Sequence, residues 1–269
     1  MALVNTPLVS IILPVHNGAL TLDDAIQSVL QQDYPHWELI IIDNASTDAS
    51  VARIECYTDV RISLISEPAL GVSRARNRGL DLARGAFICF LDADDRLPQA
   101  SLRVRLEYAE MHAHLALIDG SVVTYAADFT NPIAHWTPTF TGNYTNELAC
   151  QTGSCFRGVT AMVRSTAIGD VRFPINQSHA EDLSFYLQLA LRGAKYGFVE
   201  DVVYHIRQRP DSAMSNLEGL AAGYRALLPL IETLHPAVQA EYKKRVRKIV
   251  FRSALKAGHI ALALRSLSW

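Results

Sequence analysis

Three carboxylates within four residues, Asp92, Asp94 and Asp95, follow an apolar run from Phe87 to Leu91. Acids this close repel one another and lose hydration when buried, so a positive group should offset them. A hard divalent cation suits that role, because Mg²⁺ or Mn²⁺ prefers carboxylate oxygens completed by substrate phosphates. The plainer reading is a polar turn before the helix that Pro98 introduces, since Asp is common in turns. A second acid pair, Glu181-Asp182, opens a helical pattern from Leu183 to Arg192 that Gly193 ends. Acids at a helix start are favourable with the helix dipole alone. A carboxylate there can also act as a general base toward an attacking hydroxyl. Arg207 and Arg209, after the last apolar run, have the chemistry to meet phosphate charge. His205 is a candidate metal ligand, although a lone histidine is more often structural.

The elements that position these groups follow from the pattern of apolar residues. Leu8–Pro14, Trp37–Ile42, Ile62–Ile65 and the run before Asp92 have the length and composition of buried parallel strands. Thr21 with Asp24 is a capping-box variant, and Ala25, Ile26, Val29 and Leu30 follow at helical spacing. A second helix runs to about Tyr57. A third, arginine-rich through Arg74, Arg76 and Arg78, spans Val72–Arg84 and stops at Gly85. Strand and helix alternating with short links predict an α/β fold with a doubly wound, mostly parallel sheet. Asn17, Asp43 and Asp92 then end strands on one sheet edge and converge on one ligand. Gly-x-Gly-x-x-Gly is missing after the first strand and Gly-Lys-Ser/Thr is missing throughout, which argues against dinucleotide and P-loop sites. A nucleotide whose phosphates are held by a metal on carboxylates fits better.

In the second half, Ala100–His114 reads as a helix, and Leu115–Ala126, Phe156–Arg164 and Tyr196–Ile206 as strands. Phe129–Thr152 is the least regular stretch, too long for an ordinary connector. An acceptor-binding lid and a plain surface excursion both account for it. The chain has 269 residues, is 49% hydrophobic and has a mean hydropathy of +0.10, which indicates a globular core. Cys56, Cys89, Cys150 and Cys155 form no Cys-x-x-Cys pair and read as reduced thiols of a cytoplasmic protein. No secretory signal opens the chain, and no apolar run approaches a membrane span. Glu241–Trp269 carries eight Lys or Arg and one acid, a local +7 that leaves −9 on the rest of a chain whose total is −2. Tyr242, Val246, Ile249, Val250, Ala254, Ala257, Ile260, Ala261 and Leu264 recur there at helical spacing. That basic amphipathic tail fits an anionic membrane surface, the protein's own body or a second subunit. Nucleic acid is not expected, because no aromatic-interleaved basic motif accompanies the charge.

Taken in order, Val9–Asn17, Ile41–Asp48, Ala75-Arg76-Asn77, Gly85–Asp95 and Glu181-Asp182 resemble a family 2 glycosyltransferase with the GT-A fold, over roughly residues 8–215. One departure is His16, where that family usually has an aromatic residue. The resemblance implies residues 1–215 as the GT-A domain, with a nucleotide-binding half 1–95, an acceptor half 96–215 and a basic helical extension 216–269. It implies an inverting, metal-dependent transfer from a UDP-sugar to a glycan or lipid-linked acceptor in bacterial surface-polysaccharide synthesis. Asp43 would accept from the base, Pro14 and Asn17 would line the nucleoside pocket, and Arg76, Arg207 and Arg209 would serve the nucleotide. Asp92 would lie near the ribose, Asp94 would hold Mn²⁺ or Mg²⁺ on the diphosphate with His205 as a further ligand, and Asp182 would be the base. No Gln-x-x-Arg-Trp motif is present, which implies single addition rather than processive synthesis. The competing readings are a sugar-nucleotide pyrophosphorylase, which lacks its Gly- and Arg-rich phosphate loop here, and an inactive nucleotide-sugar binder.

Overall fold

A computed structural model of the chain describes residues 6–208 and 216–266. Its first half alternates as expected: β1 (Val9–Val15), α1 (Leu22–Leu30), β2 (Trp37–Asp43), α2 (Ser50–Ile54), β3 (Ile62–Ser66), α3 (Val72–Leu82) and β4 (Phe87–Phe90). These four strands are parallel in the order β3-β2-β1-β4. Then follow α4 (Ser101–Met111), β5 (Leu117–Tyr125), β6 (Pro132–Trp136), α5 (Thr145–Ala149), β7 (Met162–Arg164), α6 (Ser165–Ile168), α7 (Glu181–Leu191) and β8 (Tyr196–Arg207). The sheet continues from β4 through β7 and β5 to β6, with β8 parallel to β5. β7 is antiparallel to both of its neighbours, and β6 to β5. The sheet is therefore mixed but mostly parallel.

Side-chain alternation along the strands divides the core. Val9, Ile11 and Leu13 of β1 join α1 and α4 on one face, while Ile12 joins α5 and α7 on the other. Gly79 lets α3 lie directly on β1, since a Cβ there would sit 2.3 Å from Ile12 Cγ2. Pro14 is tolerated in a central strand because β4 pairs only with Val9–Ile12 and has ended before it.

Several local expectations are corrected. α3 ends at Leu82 because the next residues are bound elsewhere. The Arg84 amide and guanidinium donate to Glu38 at 2.6–3.0 Å, and the Gly85 amide donates to Ser10 Oγ at 2.8 Å. Phe156–Arg164 is a strand only over its last three residues, since Phe156 (φ 57°) and Gly158 (φ 81°) are left-handed. Phe129–Thr152 is not irregular throughout. It contains edge strand β6, helix α5 and the buried Tyr144, whose hydroxyl donates to the Tyr186 carbonyl at 3.0 Å. The Thr21 hydroxyl leaves its own helix uncapped and donates to the Ala93 carbonyl at 2.9 Å.

The C-terminal segment forms α8 (Leu217–Ala226), α9 (Leu228–Ile231), α10 (Pro236–Lys256) and α11 (Ile260–Ser266). The predicted apolar stripe splits. Tyr242, Val246, Val250 and Ala254 are buried in the same core as Phe185 and Leu189 of α7. Ala257, Ile260, Ala261 and Leu264 remain exposed. Among the described residues, no helix is long and apolar enough to cross a membrane.

Candidate active site

β4 stops at Phe90, and the chain turns through Asp92–Asp95, with the Asp95 amide donating to the Asp92 carbonyl at 3.0 Å. The three acids receive different treatment. Asp95 is buried and accepts from the Arg207 amide at 2.8 Å and from the Tyr204 hydroxyl. Burial, with Asp92 and Asp94 beside it, pushes its carboxyl well above the ordinary range. The same Tyr204 oxygen accepts from the Asp92 amide at 3.1 Å. Asp92 is half-buried and its Oδ1 accepts from Arg76 at 2.9 Å. Asp94 is half-buried, and its backbone carbonyl accepts from Arg207 Nε at 2.9 Å.

Arg207 is thus committed to the turn. Its other guanidinium nitrogens donate to Asp24 and to the Ala127 carbonyl, and the group lies 4.3 Å from the Phe129 ring centroid. Arg96 mirrors it, paired with Asp24 at 2.7 Å and 4.1 Å from the same ring. Burial alone would raise the Asp24 carboxyl, but Arg207 and Arg96 hold it below the ordinary value. The start of the 129–152 segment therefore reaches the acid turn through Phe129. His205 exchanges backbone hydrogen bonds with Arg96 and packs edge-on against Tyr125 at 4.9 Å. Burial and the nearby Arg96 lower its pKa to about 4, so its imidazole is neutral at physiological pH, as ligation to a metal requires. Arg209 lies outside the described residues.

The second acid pair is joined to the first by Arg76. That side chain is 4% exposed and pairs with Asp92 and Glu181, each at 2.9 Å. Burial would lower its pKa, but Asp92 and Glu181 outweigh this and raise it, so it stays charged. Its Nε–H is buried without an acceptor. Asp182 Oδ1 accepts from the Leu183 amide at 2.8 Å. Burial and the Glu181 charge push its carboxyl up to about 6, against the opposing pull of the Leu183 amide and Arg76. Arg76, Asp92, Glu181 and Asp182 line one open cleft of 420 Å³ with Ser178 and His179. A carboxylate titrating near 6 is ionised at neutral pH and is a stronger base than an ordinary aspartate.

At the other end of the sheet edge, Asp43 is 7% exposed and opposite Val15 in register. Asn17 (φ 52°) uses its amide oxygen to accept from the Thr47 amide at 2.8 Å, which joins the turns after β1 and β2. Asn44 joins the turns after β2 and β3. Its Nδ2 donates to the Glu67 and Ala69 carbonyls at 3.0 and 2.8 Å, and its Oδ1 accepts from the Gly71 amide at 2.7 Å. The sequence assigns no individual site role to Tyr204, Arg96, Asp24 or Asn44. Nothing in the local pattern marks a tyrosine of β8 as the partner of a turn 112 residues away.

The acid turn has the chemistry of a shared cation site. Among the described residues, no three His, Cys, Asp or Glu side chains form a metal centre on their own. A cation that draws one or two ligands from the chain and the rest from a diphosphate and water needs no such cluster. Burial first, and then the charges of Asp92 and Asp94, raise the Asp95 carboxyl, so negative charge is concentrated at this turn and a divalent cation would offset it.

The sequence is 31% identical over 199 residues to TuaG of Bacillus subtilis, a glycosyltransferase named for teichuronic acid biosynthesis, covering 72% of this chain and 77% of that protein. It is 45% identical over 89 residues to WfgD of Escherichia coli, named as a UDP-Glc:α-D-GlcNAc-diphosphoundecaprenol β-1,3-glucosyltransferase, covering 33% of this chain and 35% of that protein. The fold matches S. aureus TarS, solved with UDP-GlcNAc, at a TM-score of 0.70 and 19% identity over 91% of this chain and 72% of that one. It also matches the mannosyltransferase PcManGT of Pyrobaculum calidifontis, solved with GDP-Man and Mn²⁺, at 0.67 and 19% over 98% and 80%. The sheet is therefore a GT-A fold. The sequence pattern of glycosyl transferase family 2 matches residues 10–171, and the chain belongs to that family as a glycosyltransferase.

Proposed function

We propose that the protein is an inverting, divalent-metal-dependent glycosyltransferase that moves a single sugar from a UDP-sugar to a glycan or lipid-linked acceptor in bacterial surface-polysaccharide synthesis. The observation that carries this is the Arg76 bridge, which brings the β4 acid turn and the Glu181-Asp182 pair into one cleft. Residues 1–95 hold the donor and 96–215 build the acceptor side, with 216–269 as the extension. Asp94, with His205 beside the turn, holds the cation. When bound, that cation offsets the charge of the leaving diphosphate. Asp182 takes the proton of the acceptor hydroxyl as its oxygen attacks the anomeric carbon. The bond to the diphosphate breaks on the opposite face, so the anomeric centre inverts. Asp92 sits beside the ribose, held there by Arg76. Arg207 acts on the diphosphate through the turn it braces, and Arg209, outside the described residues, is assigned to the charge of the leaving phosphates. The names of TuaG and WfgD support the pathway and the acceptor, and those of TarS and PcManGT the nucleotide and metal.

Pro14, Asn17 and Asp43 form the nucleoside end, with the Asp43 carboxylate accepting from uracil N3–H. Calorimetry in Mn²⁺ tests this. Asp43→Ala should weaken UDP binding by about 1.5–3 kcal/mol, the size of a hydrogen bond to a charged group. Equal affinity in variant and wild type would remove the contact.

The exposed end of the tail bears on the acceptor. Leu255, Ile260 and Leu264 are 49–63% exposed, and Lys248, Arg252, Lys256 and Arg265 are exposed around them. These residues support peripheral contact with the cytoplasmic, anionic face of a membrane, to which a basic residue near the surface contributes about 1 kcal/mol. The protein should pellet with anionic vesicles at low salt and be released at high salt. Indifference to anionic vesicles at low salt would refute the contact.

A further inference from the structure

The cleft wall that carries Asp182 is held by the C-terminal helices. Gln177 Nε2 donates to the carbonyls of His179 and Ala180 at 2.9 and 2.8 Å and, more weakly, to that of Gly223 on α8 at 3.4 Å. Its oxygen accepts from Ser184 Oγ of α7 at 2.9 Å. α8 rests directly on this turn. A Cβ at Gly223 would lie 2.2 Å from the His179 carbonyl oxygen, and one at Gly219 would lie 2.4 Å from His179 Cε1. Glycine is a poor helix former. Two glycines one turn apart on the face toward the loop therefore give up helix propensity for close backbone approach. The next loop residue, Ala180, is left-handed at φ 56°, ψ 24° and precedes the acid pair. A non-glycine residue keeps that conformation only where its surroundings impose it. Behind α8, the Tyr242 hydroxyl of α10 donates to the Tyr224 carbonyl.

We propose that α8, seated through Gly219 and Gly223 and clamped by Gln177, positions Asp182 for catalysis by fixing the 177–180 turn. This rests on Asp182 being the base. The glycines and Gln177 are positioning residues that act through the backbone of His179 and Ala180. The charged and titratable groups around Asp182 are Glu181, Arg76, Asp92, Tyr186, Tyr224 and, in the same cleft wall, His179. Changes at 177 and 223 replace none of these groups and reach Asp182 through the backbone of the turn.

The test follows the Asp182 carboxyl directly in the full chain labelled with ¹³C at aspartate carboxyls, its resonance identified by loss in Asp182→Asn. Gly223→Ala drives a methyl into the His179 carbonyl, and Gln177→Met removes the clamp at similar volume. Ala222→Gly, on the exposed face of α8, weakens the helix without touching the loop. The Asp182 midpoint should fall from about 6 toward the ordinary aspartate value in Gly223→Ala and Gln177→Met and stay put in Ala222→Gly. Wild-type titration in both loop variants overturns the proposal. If Gly223→Ala does not fold, Gln177→Met alone decides it. Turnover of Asp182→Asn separates the two ideas. Retained turnover rejects Asp182 as base, whereas lost turnover with unmoved titration rejects only the brace.

Discussion

Asp94→Ala should abolish transfer and reduce UDP binding in Mn²⁺ to the level the wild type shows in EDTA. The three acids of the turn are not equivalent. Asp95 is buried and serves Tyr204 and the Arg207 amide, so its loss would damage the fold. Asp92 is bound by Arg76, which also binds Glu181. Asp94 is half-buried at the strand end, and its backbone is fixed by Arg207 Nε. In the proposed function it is the carboxylate that shares a cation with a diphosphate at the edge where parallel strands end. Full turnover in excess EDTA would refute the role.

Asp182→Asn should lower kcat by about 10²-fold or more while donor affinity stays near wild type, since the base acts only in the chemical step. Collapse of donor binding would make Asp182 structural instead. The raised carboxyl fixes the pH dependence. The base is active when ionised, so kcat should rise through a midpoint of about 6 and level off above it. Stability carries the opposite sign. A carboxyl whose folded pKa lies above its unfolded value costs the folded state its ionisation, so stability is lost as pH rises from about 4 through about 6. Asn resembles the protonated form. Asp182→Asn should melt above the wild type at pH 8, and the gap should close at pH 4. A gap that widens toward acid would contradict the burial of this charge.

The first half was legible because buried parallel strands have near-continuous apolar runs and their acids sit at strand ends. Asp43, Asp92 and Asp94, with the neighbouring turn residue Asn17, lie on one edge for that reason. Less legible were contacts that depend on distant elements. Asp24 reads as part of a capping box, yet it receives Arg96 and Arg207 across the fold. Arg207 reads as a phosphate ligand, yet its guanidinium is occupied by the Asp94 and Ala127 carbonyls and the Asp24 carboxylate. β6 was hidden because an exposed edge strand needs no apolar alternation, as Pro132–Trp136 shows. In the tail, helical spacing identified the stripe but not its cover, which is α8, α5, α9 and α11 for the buried face of α10 and solvent for Ile260 and Leu264. The glycines of α8 gave only a helix-weakening signal until His179 was seen against them.

In the proposed function a cation held by Asp94 would join the protein to the diphosphate of a UDP-sugar. Thermal unfolding of the wild-type protein with a panel of UDP-sugars, in Mn²⁺ and in EDTA, tests it most directly. A ligand that binds only the folded state raises Tm, by roughly 5–10 °C at a hundredfold excess over Kd for a domain of this size. The account predicts that rise with at least one UDP-sugar in Mn²⁺ and its loss in EDTA. An equal rise in EDTA, or none with any UDP-sugar, would contradict it.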